Sequence, residues 1–223
     1  MNRPETETER ALRVTVFGAS GNIGRHVVEQ LLAAGHSVTA YVRDAAKLGI
    51  THPKLSVIES ELDQPAAIAR AVEGADAVIS ALGPTMSRSV TGTPVAEGTR
   101  NIVQAMQGTG VRRFIGLATP AITDPRDRPT LKAKIFRLMP RLAFPNALKE
   151  IDAMTEAVTR SGLDWTIARI ISPNDKPGTG TIRSGFMGRD DLGAAMSRAD
   201  IAAFLVVQLT DDRYHRAAPV ISN

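Results

Sequence analysis

Along the chain, short runs of β-branched and apolar residues alternate with stretches whose apolar positions recur every three or four residues. The first run, 12–17, ends in a glycine turn; Ile23, Val27, Val28, Leu31 and Leu32 then fall at helical spacing, and Gly35 sits where a helix would close. This reads as strand, turn and helix. The alternation repeats, predicting strands over 37–42, 55–59, 75–81, 113–118 and 165–170 and helices over 65–72, 95–107 and 148–160. Strands separated by helices pair in parallel through right-handed crossovers, so the expected fold class is α/β, a doubly wound parallel sheet. Past Ile171 the rhythm breaks into Ser172-Pro173-Asn174-Asp175-Lys176-Pro177-Gly178, followed by a β-like 179–184 and a last helix over 198–209. Ser197 with Asp200 three residues on resembles a capping box, Asp standing in for Glu, and sets the start of that helix. Residues 1–11 are polar and carry no periodicity, which reads as a flexible leader before a single domain over 12–223 with a small C-terminal extension on the substrate side.

Composition narrows the function classes. A chain of 223 residues, 43% hydrophobic and 22% charged, can bury a core large enough to need no disulfide or structural metal. It contains no cysteine, which excludes disulfide scaffolds, thiolate metal sites, iron–sulfur clusters and cysteine nucleophiles and fits the reducing cytoplasm as the expected location. The longest apolar run, 201–207, falls short of the roughly 18–20 residues of a spanning helix, and no signal peptide opens the chain, so no membrane span is expected. The excess of 27 Lys+Arg over 23 Asp+Glu gives +4, which favours anionic ligands such as phosphates. Beyond one short basic stretch, 128–144, Lys and Arg are neither concentrated in a run nor interleaved with aromatics, so no nucleic-acid partner is expected. His26, His36, His52 and His215 lack ligand spacing, and no metal site is expected.

The candidate chemistry begins at Gly18-Ala19-Ser20-Gly21-Asn22-Ile23-Gly24, which places glycines at G-x-x-G-x-x-G spacing between the first strand and the first helix. There the first glycine permits a tight turn, the second lets backbone approach a pyrophosphate and the third lets helix pack on strand, while the helix N-terminus faces the phosphates with free N–H groups. Without a strand before it and a helix after it, the same spacing would be only a glycine-rich turn. At the end of the second strand, where an acidic residue would bond the ribose 2′-hydroxyl of NAD, Arg43 stands with Lys47 one turn on, which favours NADP(H). A guanidinium facing a 2′-phosphate contributes about 1.5–3 kcal/mol. Asp44 beside it pulls the other way, and a solvated surface arginine is the alternative. Glu61 and Leu62, after the third strand, are placed for the adenine edge, with Leu62 serving equally well as core. Ala81, Leu82 and Gly83, after the fourth, should run under the nicotinamide ribose.

Together with Gly74-Ala75-Asp76-Ala77-Val78-Ile79, Glu97-Gly98-Thr99-Arg100-Asn101-Ile102, Ser161-Gly162-Leu163-Asp164-Trp165-Thr166-Ile167 and Ser197-Arg198-Ala199-Asp200-Ile201-Ala202, these residues resemble the atypical short-chain dehydrogenase/reductase superfamily. Within it, the resemblance is to the NAD(P)H-binding group that holds the flavin reductases of biliverdin reductase B type and the NmrA-like proteins. It implies a Rossmann fold, NADP(H) as cofactor and a small-molecule substrate, and leaves monomer or homodimer open. Familiar members of the superfamily use a Tyr-x-x-x-Lys pair, but neither Tyr41 nor Tyr214 has a lysine four residues on. Alcohol dehydrogenase or epimerase chemistry would then lack a proton donor worth typically about 10²–10⁴-fold. What the resemblance leaves is hydride transfer to a flat conjugated acceptor, a flavin, quinone or tetrapyrrole, by proximity and orientation. The alternative is an NADP-binding redox sensor of NmrA type without turnover.

By the same resemblance, Ala118 and Thr119 close the fifth strand where relatives carry a serine, so the Thr119 hydroxyl is expected to orient the carboxamide or the substrate carbonyl. Ser172 takes the place of a histidine after the sixth strand, which argues against tetrapyrrole reduction itself. Lys149 is a candidate for the cofactor ribose. The segment 128–144 puts Leu131, Ile135, Leu138, Met139 and Leu142 on one helical face beside Lys132, Lys134, Arg137 and Arg141. A mobile lid, an oligomer interface and a membrane-surface helix all fit it, and Pro140 argues against a long regular helix.

Overall fold

The computed structural model describes residues 10–84 and 92–223. The expectation of a flexible leader therefore falls, for residues 1–9, outside the described residues. The strands are β1 (Arg13–Phe17), β2 (Ser37–Val42), β3 (Leu55–Glu59), β4 (Ala77–Ser80), β5 (Arg113–Ala118), β6 (Asp164–Ile170), β7 (Pro173–Asn174), β8 (Arg183–Gly185), β9 (Met196–Ser197) and β10 (Val220–Ser222). The helices are α1 (Gly24–Ala33), α2 (Pro65–Val72), α3 (Pro94–Thr109), α4 (Leu131–Ala143), α5 (Pro145–Thr159) and α6 (Arg198–Val207). Eight strands form one sheet in the order β3-β2-β1-β4-β5-β6-β10-β8, parallel except for the antiparallel β10–β8 pair. The fold is the doubly wound α/β sheet that the alternation of periods predicts.

Period-two alternation assigns each strand residue to one of two cores. Val14 and Val16 of β1 and Ile79 of β4 pack with Val27, Val28 and Leu31 of α1 and Ile201 and Leu205 of α6. Phe17 and Val78 point the other way, onto Ile68 of α2, Ile102 and Met106 of α3 and Leu148 and Ile151 of α5. Each fully buried aliphatic side chain of this kind contributes about 1.5–3 kcal/mol. The close of α1 is as predicted. The N–H of His36 bonds the Leu31 carbonyl and the N–H of Gly35 the Leu32 carbonyl, each at 3.0 Å, which is a Schellman motif.

Three local expectations change. Ser197 does cap α6, its hydroxyl accepting from the Asp200 N–H at 3.1 Å. The reciprocal arm of the box is absent, however: the N–H of Ser197 goes to Asn223 Oδ1, while the Asp200 carboxylate takes the N–H groups of Thr179 and Gly180 and the Asn223 amide. The expected strand over 179–184 is accordingly held as a loop up to Ile182 and only Arg183–Gly185 joins the sheet. Helix α4 runs through Pro140 and ends three residues later. Pro140 withholds one helix N–H, and Phe144 bonds its carbonyl at 2.8 Å before α5 begins with Pro145.

Candidate functional site

In the order β3-β2-β1-β4-β5-β6, chain direction across the sheet reverses between β1 and β4, and ligands of doubly wound sheets bind beyond the strand ends at such a point. The glycine turn follows β1 and Ala81-Leu82-Gly83 follows β4, so the two candidate segments meet there. Gly18 has φ +73°, and a Cβ on it would lie 3.0 Å from the Ala81 carbonyl carbon; a Cβ on Gly24 would lie 2.0 Å from the Gly18 oxygen. Only glycine permits this approach. No side chain caps the N-terminus of α1; the Arg25 N–H bonds the Gly21 carbonyl at 3.0 Å, and the positive end of the helix dipole faces the turn. A bare backbone cradle under an uncapped helix fits the diphosphate of a dinucleotide.

Three adjoining depressions radiate from Leu82 and Gly83. One, of about 310 Å³, is lined by Gly18, Ser20, Gly21, Tyr41, Arg43, Lys47, Leu62 and Ala81. A second, of about 780 Å³, is walled by Arg43, Glu61, Leu62 and the first turns of α3, including Arg100 and Asn101, together with Glu150. The third, of about 600 Å³, lies toward β5 and β6 and is lined by Ile23, Ala118, Thr119, Phe144, Ile151, Ile170 and Ser172, among others. Thr119 and Ser172 carry the only polar side chains among its described lining residues.

Most of the residues singled out in the sequence are gathered here. Arg43 forms no hydrogen bond or ion pair with the described residues and borders two of the depressions. Asp44 does not compete with it. Its carboxylate accepts the Ala46 N–H at 3.0 Å and pairs with Lys47 Nζ at 3.3 Å, capping a short 3₁₀ turn. Leu62 packs on the core beside α3 and also lines two of the depressions, and its carbonyl accepts from Asn101 Nδ2 at 2.9 Å. Gly24 is buried as a packing glycine, and Asn22 is exposed at the helix mouth outside the three depressions.

Lys149 is not brought to the site. It stands exposed on α5 and lines none of these cavities, because the helical turn there directs its neighbour Glu150 inward instead. Glu150 is buried, and its carboxylate accepts the N–H groups of Val95 and Ala96 at 2.6 and 3.3 Å, capping α3 from across the fold. Sequence reading missed Glu150, Arg100 and Asn101. The Glu97–Ile102 motif was the signal for the last two, and no local pattern announces a cap donated from another helix.

Both tyrosine hydroxyls are engaged within the fold. The Tyr41 hydroxyl donates to the Glu61 carbonyl at 2.6 Å, and burial pushes its pKa up; the Tyr214 hydroxyl bonds Ser184 Oγ at 2.9 Å. Neither lines the cavity that holds Thr119. The Thr119 hydroxyl accepts the Ala121 N–H at 3.4 Å, a long contact that leaves the group able to turn toward a ligand. Ser172 has φ +39°, a left-handed conformation that a non-glycine residue adopts at a cost.

A family model described as NAD(P)H-binding matches residues 18–212. The photosystem II assembly factor Ycf39 of Synechocystis sp. is 27% identical over 161 residues, covering 71% of this chain and 44% of its own length, so the chain spans less than half of that relative. The 3-diazoavenalumate denitrifying reductase of a Streptomyces species is 27% identical over 242 residues, covering 93% of this chain and 78% of its own. The crystal structure of a short-chain dehydrogenase/reductase from Veillonella parvula in complex with NADP shares the fold, with a TM-score of 0.75 at 21% identity over 96% of this chain and 95% of that one. The glycine cradle, the strand order and the extent of the family match therefore make this chain a member of the NAD(P)H-binding family.

Proposed function

We propose that the protein is an NADPH-dependent oxidoreductase that reduces a flat conjugated acceptor, a flavin or a quinone. One observation carries the reading: the dinucleotide trough opens into a cavity of about 600 Å³ whose described lining holds no ionisable side chain, only the hydroxyls of Thr119 and Ser172. Ketone reduction and sugar epimerisation require a positioned acid or base, worth typically about 10²–10⁴-fold. An acceptor that takes its proton from water needs none. When bound, NADPH supplies the hydride. The chain's own contributions are proximity, orientation and exclusion of water from apolar walls.

In this reading the 18–24 turn and the N-terminus of α1 hold the diphosphate, and Arg43 with Lys47 takes the 2′-phosphate. Ala81, Leu82 and Gly83 underlie the ribose, and Glu61 and Leu62 meet the adenine. The Thr119 hydroxyl positions a carboxamide or acceptor carbonyl, while Ser172, in its strained conformation beyond β6, closes the far side. A relative named as a reductase and a structural neighbour crystallised with NADP support the class of reaction and the cofactor.

The test is a steady-state assay of the full chain with NADPH and a panel of riboflavin, FMN and short-chain quinones, followed by the absorbance of the reduced cofactor. Acceptor-dependent oxidation is expected for at least one class. Tight NADP(H) binding with no oxidation across the panel would overturn the reading in favour of a sensor that binds cofactor without turnover.

A further inference from the structure

Five of the seven large apolar side chains that stand exposed among the described residues belong to α4: Leu131, Ile135, Leu138, Met139 and Leu142, between 53% and 76% exposed. Helical spacing sets them on an arc about 100° wide. Scattered exposed apolar residues are ordinary, but a contiguous set on one helix marks a surface that something covers.

Charge identifies what. From 128 to 149 the sequence carries Arg128, Lys132, Lys134, Arg137, Arg141 and Lys149 and neither aspartate nor glutamate. Arg141 is engaged by Asp152 at 2.7 and 2.9 Å, which fastens α4 to α5. Arg128, Lys134 and Lys149 are exposed and form no ion pair with the described residues. On its inner side α4 presents Met139, Pro140 and Ala143 to the apolar cavity, so Met139 belongs to both the exposed arc and the cavity wall.

We infer that α4 is a membrane-surface helix that lays its apolar arc on an anionic lipid bilayer, with the basic residues of the segment meeting the headgroups. Among the described residues no helix is long and apolar enough to cross a membrane, so the contact is peripheral. A second copy of this chain is a poorer occupant. A two-fold contact across α4 sets two basic, acid-free segments against each other, whereas an anionic surface neutralises them. The inference stands apart from the proposed reduction, because lipid binding is read without turnover.

The experiment is co-sedimentation of the full chain with vesicles of phosphatidylcholine alone and of phosphatidylcholine mixed with phosphatidylglycerol, at low and high salt. Binding is expected to the mixed vesicles only and to weaken as salt rises. The double variant Leu131→Glu/Leu138→Glu, which alters no cavity residue, should bind at least about tenfold more weakly while its melting temperature and NADPH affinity are unchanged. If that variant fails to fold, Lys134→Glu reads the electrostatic arm alone and should also weaken binding. Absence of binding to the mixed vesicles, equal binding to both compositions, or a dimer that the leucine variant dissolves without any vesicle binding would each overturn the inference.

Discussion

Arg43 and Asp44 are adjacent in the chain and pull toward opposite cofactors, and the structure separates them by their partners. Asp44 spends both carboxylate oxygens on its own 3₁₀ turn, through the Ala46 N–H and Lys47, while the Arg43 side chain has no described partner and borders the cavity. An exposed guanidinium without a partner loses little on meeting a phosphate and gains charge-assisted bonds. Arg43→Ala should therefore weaken NADPH at least about tenfold and leave NADH nearly unchanged; calorimetric titration of both cofactors decides, and an equal loss for the two would show that Arg43 does not read the extra phosphate. Lys149 is the opposite lesson. Sequence reading placed a cation near the ribose, but on a helix a shift of one residue is a turn of about 100°, and it is Glu150 that faces inward.

At the scale of elements, the segment that follows β5 is held by a buried ion pair that no periodicity announces. Arg169 of β6 is fully buried, and its guanidinium meets both oxygens of Asp127 at 2.6 and 2.7 Å and the Ile122 carbonyl at 3.0 Å. Asp127 also accepts the N–H groups of Asp124 and Met187, tying the Thr119 loop to the segment beyond β8. Burial is the largest influence on Asp127 and pushes its pKa up, but the Arg169 hydrogen bonds with these two N–H groups and the Arg169 charge outweigh it, and the pKa is lowered. A carboxylate lowered in the folded state contributes stability that is complete above its unfolded value, about 3.9, and is lost as pH falls through the folded value. The melting temperature should fall with acidification below about pH 4. Asp127→Ala, which leaves Arg169 buried without its partner, should cost roughly 3–5 kcal/mol at neutral pH and flatten the acid limb. Thermal unfolding across a pH series measures both, and an unchanged acid limb would exclude Asp127 as its source.

Taken whole, the molecule places its cofactor cradle where β1 and β4 diverge, so a dinucleotide bound there contacts segments from most of the central sheet. NADPH at a hundredfold excess over its dissociation constant should add about 2.7 kcal/mol, or about 5–10 °C in melting temperature for a chain of this size. Gly24→Ala, whose Cβ would lie 2.0 Å from the Gly18 oxygen, should melt without that shift. Differential scanning calorimetry distinguishes the two, and a full shift in the variant would refute the role of the cradle. The elements and the glycine turn were legible in the chain because their causes are local: period two makes a strand, period 3.6 a helix, and closely spaced glycines between them a tight turn. Strand β10 was not, since three residues carry no period. Nor were the Arg169–Asp127 pair, 42 residues apart, the bond from the Ala218 N–H to Asp124 across 94, or an apolar cavity walled by α4, α5, β5 and β6. Those belong to the tertiary structure alone, because burial and charge pairing depend on which distant segments packing brings together, and neighbours along the chain hold no record of it.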